Sequence, residues 1–115
     1  MSDVLYHAAA RGDEPMVKSL VDGGAAPDGF IAKDGKTALM VAAAGGYKSL
    51  VNMLLTAKTN RASPSLQDKL GYTALHHSAS NGHASICLVL LFYGALAETK
   101  DSAGNTPIDV ARSHG

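Results

Sequence analysis

The pattern T-A-L-x-x-x-A-x-x-G stands twice in this chain, at Thr37–Gly46 and Thr73–Gly82, and weaker copies flank it on both sides. The apolar residues aligned across the copies are Leu5, Leu39, Leu75 and Ile108, separated by 34, 36 and 33 residues. A glycine follows each of them seven positions later, at Gly12, Gly46, Gly82 and Gly115. A pattern that returns four times in phase over 115 residues points to a stack of similar units. Each unit is too small to bury its apolar face alone and must pack on its neighbours.

Within a unit the residues read as two helices joined by a tight turn. Thr37, Thr73 and Thr106 are placed to cap a first helix with their hydroxyls, and Pro107 suits a first helical turn. Gly12, Gly46 and Gly82 then end it, since a residue without Cβ takes the left-handed conformation such a turn needs. The second helices repeat one apolar stripe at i, i+1, i+4, i+5: Met16-Val17-x-x-Leu20-Val21, Leu50-Val51-x-x-Leu54-Leu55 and Ile86-Cys87-x-x-Leu90-Leu91. That stripe is expected to pack on the neighbouring unit. Pro15 opens the first of these helices, where its missing N–H costs nothing. Ala8, Ala9, Ala42, Ala43 and Ala79 are small where adjacent first helices approach closely.

The third copy runs D-K-L-G-Y-T-A-L-H-H-S-A-S-N-G-H-A-S-I-C-L-V-L-L-F-Y-G-A from Asp68 to Ala95, and the fourth supplies D-S-A-G-N-T-P-I-D from Asp101. Units near 33 residues carrying Thr, a small residue or Pro, Leu and often His mark a β-turn plus two helices. On these residues the chain resembles the ankyrin repeat family over almost its whole length. The resemblance implies an all-α solenoid of stacked helix-turn-helix units with short β-hairpin-like loops. It divides a single domain, 1–115, into repeats at about 1–33, 34–66 and 67–99, with a partial repeat at 100–115. Two departures stand out. After the second repeat's second helix Lys58-Thr59 replace the usual Gly-Ala, and the polar stretch Thr56–Leu66 with Ser63-Pro64 is expected to be a longer, more mobile loop. The fourth repeat stops at Gly115, where its second helix should begin, so the chain is expected to be an N-terminal piece of a longer protein.

Composition narrows the function classes. With 46 % hydrophobic and 17 % charged residues the chain is of the folded type. Ten basic and ten acidic residues cancel, and no two Lys or Arg are adjacent, so the positive footprint of a nucleic-acid binder is missing. No basic segment leads into an apolar run at the N-terminus, and the run Ile86–Tyr93 is far too short to span a bilayer. Cys87 is a lone cysteine and no Asn-x-Ser/Thr sequon occurs, which favours the cytoplasm, with the nucleus also open. A monomeric module without membrane insertion is expected.

His76, His77, His83 and Cys87 fall within twelve residues, and His83 and Cys87 share a helix face at a spacing zinc could use. The packing reading is preferred. The resemblance makes His76 and His83 structural hydrogen-bonders, and Cys87 stands where sister repeats have Val17 and Val51. Gly23-Gly24 and Gly45-Gly46 fit no phosphate loop, and Ser78 beside His77 lacks a third orienting group. No catalytic residue, metal or cofactor is therefore expected.

The resemblance also implies where a partner protein is read: two residues before and one after the hairpin glycine, and the pair before the helix-ending glycine. Those offsets select Lys33, Asp34 and Lys36; Lys69, Leu70 and Tyr72; and Ser102, Ala103 and Asn105. On the first helices they select Ala10 and Arg11, Ala44 and Gly45, and Ser80 and Asn81. Leu70 and Tyr72 are the candidate anchors, set against the alternative that Tyr72 merely packs across its own hairpin. Lys33, Lys36 and Lys69 could together favour an acidic partner. The expectation is a protein-binding module; the alternative is a regulatory or substrate-recruiting part of a longer chain with an enzymatic C-terminal portion.

Overall fold

The computed structural model describes residues 3–28, 31–57 and 61–114. Lys58, Thr59 and Gly115, which figure in the sequence reading, lie outside the described residues. Among those described there are seven helices and no strand: α1 (Val4–Arg11), α2 (Glu14–Asp22), α3 (Ala38–Ala44), α4 (Lys48–Thr56), α5 (Ala74–Ser80), α6 (Ala84–Phe92) and α7 (Pro107–His114).

The threonines start the first helices as expected. Thr37 Oγ1 accepts from Met40 N, Thr73 Oγ1 from His76 N and Thr106 Oγ1 from Asp109 N, each at 3.3 Å. Such a cap stabilises a helix by about 1 kcal/mol. In α2 the same task falls to Asp13, whose Oδ1 accepts from Met16 N at 3.3 Å ahead of Pro15. At the far end Gly12, Gly46 and Gly82 take φ of 72°, 80° and 75° and turn the chain into the second helix.

α1, α3, α5 and α7 stack as one layer, and α2, α4 and α6 as a second layer behind it. Ala8, Ala9, Ala38, Ala42, Ala43 and Ala74 are buried where first helices meet, whereas Val17, Leu50, Val51, Leu54, Ile86 and Leu90 fill the space between the layers. The expected stripe is buried at all four positions only in α4, which has a second helix on each side. In α2, Val17 is buried but Leu20 and Val21 are half-buried and Met16 exposed; in α6, Cys87 is half-buried and Leu91 exposed. Cys87 is thus not the buried residue its sister valines suggested, because it lines an apolar cleft between α5, α6 and α7. Ala79 lines the same cleft and is half-buried.

The stretch expected to be mobile after α4 is tied down at its described end. Ala62 is buried and its N–H donates to Leu54 O at 2.8 Å, while Ser63 N donates to Asp28 Oδ2 at 2.9 Å. Arg61 Nε adds a bond to Ala57 O at 3.1 Å. Burial raises the Asp28 carboxyl above its ordinary value, opposed by the Ser63 N–H.

Candidate functional site

Three loops project from the first-helix layer, at residues 32–36, 68–72 and 101–105. Each closes on itself through two backbone bonds. They are Ala32 N to Lys36 O and Gly35 N to Ala32 O; Asp68 N to Tyr72 O and Gly71 N to Asp68 O; Asp101 N to Asn105 O and Gly104 N to Asp101 O, all between 2.8 and 3.0 Å. Successive loops are joined edge to edge by Lys69 N to Asp34 O and by Ser102 N to Leu70 O, both 2.9 Å. These are hairpin-like turns without extended strands. Their closeness explains two glycines: Gly35 and Gly71 have φ of +85° and +81°, and a Cβ would stand 2.8 Å from Lys69 N and 2.6 Å from Ser102 N. Any side chain there would push the loops apart.

Carboxylates stiffen the third and fourth turns from inside. Asp68 Oδ1 accepts from Leu70 N and Tyr72 N at 3.0 Å, and Asp101 Oδ1 from Ala103 N at 2.9 Å and Asn105 N at 3.0 Å. Both aspartates are buried. The second turn has Ala32 in their place, and its Asp34 Oδ1 takes a bond from Lys36 N instead, at 3.1 Å. Gln67 Nε2 bridges two loops by donating to Gly71 O at 2.8 Å and Lys100 O at 3.1 Å.

His76, His77 and His83 each hydrogen-bond within the fold. His76 Nδ1 accepts from Thr73 N at 3.1 Å, completing a capping box, so the proton sits on Nε2 and is donated to Asn105 O at 3.0 Å. That bond ties α5 to the next loop. His77 Nε2 donates to Asp68 Oδ2 at 2.9 Å. Burial holds the His77 imidazole below its ordinary pKa, against the opposing pull of that carboxylate. His83 Nε2 donates to Ala44 O at 3.2 Å, fastening the third repeat to the second. Ser78 is buried, its hydroxyl bonded to Leu75 O and 3.1 Å from Cys87 Sγ.

The residues selected as partner-reading fall into two rows. Lys33, Asp34, Lys69, Leu70, Ser102, Ala103 and Asn105 are exposed along the joined loops. Leu70 is the large apolar residue of that row, 62 % exposed. Lys36 is half-buried, with Nζ 3.7 Å from Asp34 Oδ2. Tyr72 is half-buried too, and its ring rests against His76 and His77 at centroid distances of 5.7 and 5.6 Å. It packs on its own repeat, which is the alternative weighed against an anchoring role. The second row lies at the other end of the first helices, on the order of 10 Å away by helical rise. There Ala10 and Arg11 are exposed, Arg11 being 3.5 Å from Asp13; Ala44 and Ser80 are half-buried and Gly45 is exposed. Asn81 is exposed and spends its Nδ2 on His77 O at 3.0 Å.

Comparison with known sequences decides the family. A model for ankyrin repeats in three copies matches residues 2–63, and one for ankyrin repeats in many copies matches residues 59–111. The chain belongs to the ankyrin-repeat family. It is 34 % identical over 115 residues to human ankyrin repeat and SOCS box protein 16, covering 93 % of this chain and 24 % of that protein. It is 35 % identical over 91 residues to the human photoreceptor ankyrin repeat protein, covering 77 % and 20 %. It is 34 % identical over 108 residues to mouse protein phosphatase 1 regulatory subunit 12A, covering 90 % and 10 %. The chain therefore spans a quarter or less of the length of these ankyrin-repeat relatives.

One region of this ankyrin-repeat chain is not singled out by the sequence reading. Leu75, Cys87, Leu91, Pro107, Ile108 and Ala111 line an apolar cleft of about 590 Å³ between α5, α6 and α7. Of its lining, Leu88, Leu91 and Ile108 are exposed, as are Phe92, which follows Leu91 in α6, and Leu96. The signal is present at two positions: Leu88 stands where sister repeats carry Lys18 and Asn52, and Phe92 where they carry Asp22 and Thr56. Among the described residues no group of three or more His, Cys, Asp or Glu is clustered as a metal site, and no helix is long and apolar enough to cross a membrane.

Proposed function

We propose that this ankyrin-repeat domain, one unit over 1–115 with repeats near 1–33, 34–66, 67–99 and 100–115, is a protein-binding module. It engages a partner protein across the joined loops and first-helix ends, with no cofactor and no catalysis. The observation that carries this reading is Leu70, an apolar side chain held out at a loop whose backbone is bonded to its neighbours on both sides. An exposed apolar residue on a rigid, hydrogen-bonded edge loses little entropy on binding. Lys33 and Lys69 flank it in the same row and favour acidic groups on the partner. Tyr72, engaged with His76 and His77, supports the loop rather than reaching out. The lone cysteine and missing sequon support the cytoplasm or nucleus as the place where it works.

A second reading, that the domain recruits or regulates within a longer, enzymatic polypeptide, is favoured by the greater length of the relatives, one of which is named a phosphatase regulatory subunit. The test is affinity capture with the wild-type domain and with Leu70→Asp, both shown folded by circular dichroism. Proteins retained by the wild type and lost by Leu70→Asp support the module reading and its site. Identical captures would remove Leu70 from the site. An enzymatic domain in the natural reading frame beyond Gly115 favours the second reading.

A further inference from the structure

The outer stripe of the second helices changes character along the stack. In the first repeat its positions i, i+4, i+8 are Glu14, Lys18 and Asp22; in the second, Lys48, Asn52 and Thr56; in the third, Ala84, Leu88 and Phe92. Lys18 Nζ and Asp22 Oδ2 pair at 3.0 Å on the surface. Lys48, Asn52 and Thr56 are exposed even though α4 has a helix on each side. The stripe thus faces solvent inside the stack as well as at its ends. The exposure of Leu88 at 68 % and Phe92 at 81 % follows from where the stripe points, not from α6 being outermost. Every charged or polar residue of the stripe has been exchanged for an apolar one, and α6 carries no charged residue at all. Concentrated apolar surface of this kind marks an interface.

We propose that the occupant is a second copy of this chain, with the two α6 helices antiparallel across a two-fold axis at Leu88. The stripe Ala84–Leu88–Phe92 is complementary to its own reverse. Antiparallel pairing sets Phe92 over Ala84 of the second copy, Leu88 on Leu88, and Ala84 under Phe92 of the second copy. Large meets small at both ends, which lets the helices approach closely in an isologous, self-closing contact. Leu88 and Phe92 expose less apolar surface than the roughly 800 Å² per partner of a standard interface, which places the pair at the weak, concentration-dependent end. The inference replaces the monomer expected from the sequence and leaves the loop edge free for a partner.

Sedimentation velocity on the chain between about 5 and 200 µM reads the outcome, a range in which a micromolar dimer shifts from one species to the other. The wild type moves toward the mass of two 11.8 kDa chains. Leu88→Asn/Phe92→Thr, which installs the second repeat's own residues, stays monomeric with an unchanged circular dichroism spectrum and Tm. Ala84→Phe alone sets Phe against Phe and weakens association at least about tenfold. Adding Phe92→Ala restores it by reversing which helix end is large. A wild type that is monomeric at the highest concentration overturns the proposal. So does a Leu88→Asn/Phe92→Thr chain that dimerises like wild type, a double variant at 84 and 92 that fails to recover, or a series of ever larger oligomers.

Discussion

At the positions where the second repeat has Ala32, Met40 and Val41, the third has Asp68, His76 and His77. The two backbones are nevertheless alike: each turn closes through the same pair of bonds and each first helix begins on a threonine cap. In the second repeat Met40 is buried and Val41 half-buried, so the space behind the turn is filled with apolar volume. In the third the same space holds a network in which Asp68 serves two backbone N–H groups and His77, while His76 reaches both Thr73 and Asn105. One fold therefore accepts two kinds of support. Apolar filling acts locally and degrades gradually, whereas a buried polar network stabilises only while all its members are present.

Four changes sharpen or break that contrast. Met40→Ala has the largest expected effect, about 2–5 kcal/mol in chemical denaturation, because it leaves a cavity that nothing polar can fill; a loss below about 1 kcal/mol would show that the second repeat does not depend on volume. Asp68→Ala comes next, at about 3 kcal/mol, since it strands the N–H groups of Leu70 and Tyr72 and the His77 imidazole together. Amide exchange should quicken at Leu70 and Tyr72 in that variant while Lys36 is unchanged, and uniform quickening in both turns would contradict separate support. Ala32→Asp copies the third repeat's carboxylate into the second turn and should add about 1 kcal/mol; no gain would mean the second turn is already fully satisfied by Asp34.

The smallest effect is in the pH dependence. The folded His77 has its pKa below the ordinary value of 6.5, so the unfolded chain binds more protons as the solution is acidified. Its contribution is fully present above the unfolded pKa and is lost as pH falls through 6.5 toward the folded value. Val41 occupies the same place in the second repeat. His77→Val should therefore flatten the stability curve between about pH 7 and 5. An unchanged slope would assign it to other groups.

Much of the fold is legible in the amino-acid order alone. The Leu-to-Gly spacing places the first helices, the threonines mark their starts, and Gly12, Gly46 and Gly82 take the left-handed conformation their position requires. The features that are not legible share a physical cause: their meaning depends on groups far apart in the chain. Asp68 in a polar loop reads as solvated until the fold lowers it among backbone donors. Ser63 is anchored by Asp28, 35 positions away, so a segment with a loop's composition is held in place. Leu88 and Phe92 sit in an apolar run that reads as core, and only the alignment with Lys18, Asn52, Asp22 and Thr56 reveals which way they face.

The joints between successive loops, Lys69 N to Asp34 O and Ser102 N to Leu70 O, are made by the main chain alone. Outside the glycines, almost any residue can supply that N–H or C=O. The tip side chains at Lys33, Lys69, Leu70, Ser102 and Ala103 are thus released from holding the row together. Mutation can rewrite what the edge displays, letter by letter, without altering its pitch, and the cost of trying a new binding specificity is kept apart from the cost of staying folded.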